Sequence, residues 1–418
     1  MGAIRDPLEA VLVAVPVVVL ACGVAGAVVR RLGQPAVVGE ILVGIVLGPS
    51  LLGWLWPEAS RWLLPQEVLP YLGVLGNLGL LVFMFLVGLE LEPGLLRGRG
   101  RAVVAVSQAS LWMPLGLGAL LALAMYGAYA PEGVGRAEFV LFVAVAVSVT
   151  AFPVLARILE DQGLHGTPVG TVAMACAAVA DVVAWCLLAV VVAMAGSTGE
   201  GRTAGSGWGV VGTAVLAGVF LAVMWWGVRP LLARAVERWG GPGSGPGAVV
   251  GLCSGLCLAA YTTEVVGVHA LFGAFVFGAV LPRAGVVEAA AERMREFAVP
   301  VLLPLFFVGS GLRTDLGLLV GGGAWWWALA VLAVAVAGKW GAGAGAALWA
   351  GLPGREAVML GALMNCRGVT ELVVLNVGLG LGVIGGELFT MLVLMALVTT
   401  GVTGPVVQAF RRAGGGGR

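Results

Sequence analysis

Charge is what this chain has least of. Only 11% of its 418 residues are Asp, Glu, Lys or Arg, where soluble globular domains carry roughly 25%, so there is too little polar surface to face water on all sides. The few charges nearly cancel, to +1, and none gather into the basic patch that nucleic acid would need. Histidine is almost missing: His165 and His269 are the only two, no HExxH motif occurs, and no second acid stands beside Asp181. That removes the usual sets for metal-assisted and paired-carboxylate hydrolysis; no enzyme activity and no cofactor are expected. The six cysteines (Cys22, Cys176, Cys186, Cys253, Cys257 and Cys366) all lie in apolar runs. Cys253 and Cys257, one helical turn apart, fit neither a zinc spacing nor a secreted disulfide framework, and all six read as packing thiols.

What the chain has instead is hydrophobic length. The hydrophobic fraction is 60% and the mean hydropathy +1.04, the profile of an all-α polytopic membrane protein. Its 68 glycines and 20 prolines sit inside apolar segments, where small residues let helix backbones pack closely. A bilayer core about 30 Å thick takes about 20 apolar residues per helix. Punctuating charges, prolines and glycines divide the sequence into 9–29, 36–56, 70–90, 103–127, 138–158, 167–195, 209–228, 247–266, 268–283, 298–313, 324–350, 355–380 and 386–408. The first run is too long for the apolar core of a signal peptide, and only Arg5, beside Asp6, stands before it, so it reads as a spanning helix. Thirteen spans put the termini on opposite sides. With the N-terminus outside, sixteen arginines fall in inner loops and five in outer ones, the bias of the positive-inside rule. A multi-pass protein of the plasma membrane with a cytoplasmic C-terminus is expected.

That sorting leaves Lys339 and Arg367 at membrane depth, together with the acids Glu40, Asp181, Glu264 and Glu371. Each costs about 3 kcal/mol to insert on translocon scales and is a functional candidate with a partner to find. Lys339 is the only lysine among 23 basic residues, and lysine, unlike arginine, can exist as a neutral amine. Arg367 and Glu371 stand at i and i+4, either a mutually neutralising pair or a coupling element. Glu40, on the second span, is either a structural acid bonded to its small-residue neighbours or part of an ion entry route. Glu264, near the end of the eighth span, reads as interfacial.

Two spans carry interruptions. In "SVTAFPVLARILED" Pro153 removes a backbone donor and clashes with the carbonyl four residues earlier. In "LMNCRGVTELVVL" Asn365, Gly368 and Thr370 break the apolar run. These spans hold the fifth place in each of two six-span halves, about 9–195 and 247–408, joined by a linker helix at 209–228. One linking helix sets the halves in opposite orientations, the pattern of inverted-repeat transporters, whose broken helices frame a midplane ion site. Asp181, fourteen residues from either end of its span, falls at that depth.

"GQPAVVGEILVGIVLGPSLLG" from Gly33, "SVTAFPVLARILED" from Ser148, "FGAFVFGAVLPR" from Phe272, "LPLFFVGSGLRTDL" from Leu303 and "MNCRGVTELVVLNVGL" from Met364 together resemble the monovalent cation:proton antiporters that include plant cation/proton exchangers and bacterial potassium-efflux antiporters. The resemblance runs from about residue 9 to 408. It implies one transmembrane exchanger domain over 1–408 with two crossing broken helices, a core that moves against a dimerisation scaffold, and a homodimer. It also implies that Asp181 binds cation and proton in competition, that Thr150 is the crossover residue of the first broken helix, and that Asn365 and Arg367 are those of the second. Lys339 resembles the core lysine that pairs with the residue before the essential Asp. Here that residue is Ala180, so Lys339 must find another resolution, such as Asp181 itself, a backbone carbonyl at a helix break, or deprotonation. The single carboxylate makes electroneutral exchange the expectation.

The implied chemistry needs a buried carboxylate whose charge either a proton or a hard monovalent cation (Na⁺ or K⁺) can balance. Competition at one site then makes exchange obligatory, because an unbalanced midplane charge crosses poorly. Two other readings use the same scaffold: an exporter of another ionic metabolite, and a transport-impaired homologue. After the last span only 409–418 follow, a short tail in which no nucleotide-binding regulatory domain is expected.

Overall fold

At membrane depth no water can receive a hydrogen bond, so a spanning backbone must satisfy its own N–H and C=O groups, which a helix does within one segment. The computed structural model describes residues 7–90, 100–164, 167–198, 209–239, 245–266, 269–320 and 323–415, and its regular structure is helical throughout. In chain order the main helices are α1 (Pro7–Arg31), α2 (Ala36–Leu47), α3 (Leu69–Glu90), α4 (Gly100–Tyr129), α5 (Arg136–Ser148), α6 (Phe152–Asp161), α7 (Pro168–Thr198), α8 (Gly209–Ala222), α9 (Arg229–Trp239), α10 (Gly245–Val266), α11 (Ala270–Val280), α12 (Gly285–Phe297), α13 (Leu303–Leu312), α14 (Ala324–Val336), α15 (Ala342–Trp349), α16 (Gly354–Met364), α17 (Val369–Gly380) and α18 (Gly386–Gly415). Three π-helical turns, Val223–Val228, Ala298–Leu302 and Ala337–Gly341, join α8 to α9, α12 to α13 and α14 to α15. Such turns add a residue to one helical cycle and cluster at functional sites.

Ten helices among the described residues are long and apolar enough to cross a membrane, and Ala270–Val280 is a shorter apolar helix. The two interrupted spans occur where the sequence places them, as α5 with α6 and α16 with α17. The first break differs in position. It falls at Val149–Ala151, and Pro153 lies in the first turn of α6, where a missing N–H costs nothing because that turn has no intrahelical acceptor for it. Pro153 therefore starts the second half-helix and does not kink the middle of one. Two spans are also longer than hydropathy indicates. The linker helix runs on through α9 to Trp239, and the tenth span begins at Gly285, because α12 is amphipathic and too polar to register.

Contacts divide the chain into two units, each assembled from three stretches: Met1–Ala21, Arg61–Glu92 and Val192–Gly309 in the first, and Cys22–Ser60, Pro93–Val191 and Ser310–Arg418 in the second. Within the first unit α3 and α11 approach closely through paired glycines. A Cβ on Gly88 would overlap the carbonyl oxygen of Phe275, and one on Gly278 the carbonyl oxygen of Phe85. Backbone cannot rotate out of the way, so Gly278→Ala should force the helices apart and cost about 1–3 kcal/mol. The check is the melting temperature in detergent, with Gly23→Ala, where nothing lies within 4 Å, as the neutral control. Of the charged residues at membrane depth, Glu40, Asp181, Lys339, Arg367 and Glu371 lie in the second unit and Glu264 in the first.

Candidate ion-binding site

A helix that stops inside a protein leaves its last carbonyls and its first N–H groups without partners, and the ends carry partial charges of opposite sign. The first break supplies both ends at once. At the C-terminus of α5, the guanidinium of Arg367 donates to the carbonyls of Ala146, at 3.1 Å, and of Val147. At the N-terminus of α6, Oδ2 of Asp181 accepts the Phe152 N–H at 3.3 Å. A cation thus sits at the negative end and an acid at the positive one. Asp181 comes from the middle of α7 and is 2% exposed.

The second break, Asn365–Gly368, crosses the first. The Ala151 N–H donates to the Cys366 carbonyl at 3.2 Å, and Thr150 Oγ1 donates to the Met364 carbonyl at 3.3 Å. A Cβ at Gly368 would run into the side chain of Val154 on α6, so glycine is what lets the two broken helices pass. Arg367 continues from this break into α17 and pairs with Glu371 one turn on, Nη1 to Oε1 at 3.2 Å, with both side chains fully buried.

Lys339 reaches the crossing from the π-helical turn Ala337–Gly341 and is fully buried. Its side-chain nitrogen donates to Thr150 Oγ1. The partner is therefore a side-chain hydroxyl, neither Asp181 nor a backbone carbonyl. The sequence hides this pair because its members lie 189 residues apart. Ala180 is itself buried beside Asp181 and offers no polar atom. Thr150→Ala should strand the Lys339 side-chain nitrogen and lower both the melting temperature and any ion flux, by about 1–3 kcal/mol in stability. Thr150→Ser, which keeps the hydroxyl, should retain most of both; equal losses in the two variants would show that the hydroxyl is immaterial.

Four buried oxygens around the breaks have no hydrogen-bond partner among the described residues: Asp181 Oδ1, Asn365 Oδ1, Thr370 Oγ1 and Glu371 Oε2. Carboxylate, amide and hydroxyl oxygens are the donor types that hard cations take.

Asp181, Thr150, Lys339, Arg367, Glu371, Asn365 and Gly368 all belong to the two crossed breaks or to side chains bonded there. The side chain of Pro153 lies outside the described residues, as does His165. Glu40 is half-buried on α2, and no hydrogen bond or ion pair joins it to this cluster. Glu264 accepts the Ala270 N–H at 2.8 Å at the start of α11. Sequence reasoning missed the backbone carbonyls of Ala146, Val147, Met364 and Cys366, which carry no side-chain signature. It also missed Thr400 on α18, which bonds the backbone of Arg367; its only signal is a threonine cluster in an otherwise apolar span.

A profile of the sodium/hydrogen exchanger transmembrane family matches residues 17–412. The Na(+)/H(+) antiporter NhaS4 of Synechocystis is 40% identical over 385 residues, covering 91% of this chain and 92% of the relative. Cation/H(+) antiporter 20 of Arabidopsis thaliana is 39% identical over 388 residues, 91% of this chain but 46% of that protein, so the chain spans about half the length of this plant relative. Among solved structures, the sodium proton antiporter MjNhaP1 from Methanocaldococcus jannaschii shares the fold, with a TM-score of 0.63 at 14% identity and 97% of each chain covered.

Proposed function

The chain belongs to the sodium/hydrogen exchanger family, and from that premise we propose that it exchanges a monovalent cation, Na⁺ or K⁺, for H⁺ across a membrane by alternating access, with Asp181 as the shared site. One observation carries the reading. A carboxylate 2% exposed is bonded on one oxygen by the Phe152 amide at a half-helix N-terminus, while its other oxygen has no partner among the described residues. The amide orients the group, and the second oxygen is free to take either a proton or a cation. Neither ligand can hold it while the other does, so each transit of one ligand requires departure of the other.

On this reading exchange is electroneutral, because one carboxylate binds one charge in either direction. Thr150 and Lys339 brace the crossing, Arg367 caps the C-terminus of α5, and Glu371 balances the charge of Arg367. The wider architecture follows the same proposal: inverted repeats at about 9–195 and 247–408, an N-terminus outside and a C-terminus in the cytoplasm, a plasma-membrane location and a homodimer. The repeats are supported by the matching places of the two breaks, and the orientation by the arginine bias of the loops.

The test is dye-quench proton flux in proteoliposomes, with Na⁺, K⁺ and Li⁺ added in turn, with and without an imposed potential. A cation-dependent pH change that ignores the potential supports the proposal. No response to any of the three cations would refute exchange, and a strong response to the potential would refute electroneutrality alone.

A further inference from the structure

The last long helix reaches the second break through the hydroxyl of Thr400. Thr400, 2% exposed on α18, uses its Oγ1 twice on Arg367: it accepts the N–H at 3.2 Å and donates to the C=O at 2.7 Å. Both backbone groups sit in the non-helical break, where no intrahelical partner exists for them. The N–H in question shares a peptide group with the Cys366 carbonyl, and that carbonyl accepts the Ala151 N–H at 3.2 Å. The Cys366–Arg367 peptide is therefore gripped at both ends, by Thr400 on one side and by the first broken helix on the other. Because a peptide group is planar, fixing its N–H fixes the direction of its C=O. The amide that follows Ala151 is that of Phe152, which donates to Asp181 at 3.3 Å.

The neighbouring threonines of α18 do nothing of this kind with the break. Thr399 donates to the carbonyls of Met395, at 2.8 Å, and Ala396, at 3.1 Å, within its own helix, and Thr403 donates to that of Thr399 at 2.8 Å and, at 3.5 Å, to that of Ala362 on α16. The bonds within the helix are how threonine usually spends its hydroxyl in an apolar helix. Thr400 alone of the three bonds the residue that also caps α5.

We propose that Thr400 is a positioning residue for exchange: by holding the Cys366–Arg367 peptide it sets the angle at which the Phe152 N–H meets Asp181, and thereby the cation affinity of that carboxylate. The inference rests on the proposed exchange at Asp181.

Thr400→Val keeps the volume and removes the hydroxyl, Thr400→Ser keeps the hydroxyl, and Thr399→Val makes the same change one residue away. For each, cation KM and Vmax are measured in proteoliposomes with whichever of Na⁺ or K⁺ the wild type exchanges, beside the melting temperature in detergent. Thr400→Val should raise KM about tenfold, the scale of one lost hydrogen bond, while Thr400→Ser and Thr399→Val keep the wild-type KM. A purely structural role would lower the melting temperature and the amount of active protein without moving KM. A Thr400→Val KM within about twofold of wild type, or an equal rise in Thr399→Val, overturns the proposal. Should Thr400→Val not fold, Thr400→Cys, with its weaker hydrogen-bonding thiol, decides by the same criterion: a raised KM supports the role and an unchanged KM ends it. A wild-type protein with no cation-dependent flux would instead remove the exchange reading, and this inference with it.

Discussion

Asp181→Asn should abolish cation-dependent proton movement, lowering flux by about 100-fold or more, while leaving the protein folded. The amide is nearly the same size and its Oδ1 can still accept the Phe152 N–H that Oδ2 now takes at 3.3 Å, so the half-helix N-terminus stays capped. What disappears is the negative charge that a proton or a cation must balance. If a group unbalanced by one charge costs about 3 kcal/mol at midplane, loaded and empty forms differ by some two orders of magnitude in crossing, since each 1.4 kcal/mol is tenfold. The neutral variant loses that discrimination along with its ligand. Asp181→Glu, which keeps the charge but displaces it by one methylene, should leave measurable though reduced flux. The measurement is initial rate per folded protein in proteoliposomes. Flux within twofold of wild type in the asparagine variant would place the shared site elsewhere.

The largest expected loss of stability is at Arg367. Its guanidinium satisfies the carbonyls of Ala146 and Val147 and one oxygen of Glu371, all without access to solvent. Arg367→Met fills similar space yet leaves a buried carboxylate and two carbonyls at a half-helix C-terminus with no partner. Breaking one side of a buried pair costs about 3–5 kcal/mol, enough to lower the melting temperature steeply and to reduce the yield of folded protein. The double variant Arg367→Met with Glu371→Leu should be more stable than the single one, because no charge is then left alone. Its residual deficit reports on the α5 carbonyls, and Arg367→Lys, which offers one point charge in place of a planar fork, should fall between the two. A single variant as stable as wild type, or a double variant no better than the single, would show that the pair is not what stabilises the crossing.

The charged members of the site were legible because hydropathy makes any ionisable residue at membrane depth conspicuous. Asp181, Lys339, Arg367 and Glu371 could be read from that alone. The first break was legible only approximately. A proline marks the neighbourhood of an interruption, but its own preferred place is the first turn after one, so the gap lies at Val149–Ala151, just upstream of Pro153. The partner of Lys339 was not legible, since it depends on a π-helical turn and on a threonine 189 residues away. Nor was the role of Thr400, because a threonine in an apolar helix ordinarily bonds the carbonyl a turn before it, and no local pattern marks the one that does not. The extent of α12 escaped for the opposite reason: its glutamates and arginines make it too polar for a hydropathy window.

The bonds that close the crossing join residues far apart in the order of synthesis. Arg367 lies 221 positions after Ala146, and Lys339 189 after Thr150. While the ribosome is still making the stretch before residue 339, Asp181 and the end of α5 are already in place, yet neither of the two cations bonded at the crossing has been made. The nascent chain must hold an uncapped helix end for the 221 positions that separate Ala146 from Arg367, a burden expected of non-local topologies. Premature stop codons ahead of residue 367 should therefore yield chains that are cleared by quality-control proteases, not partial transporters.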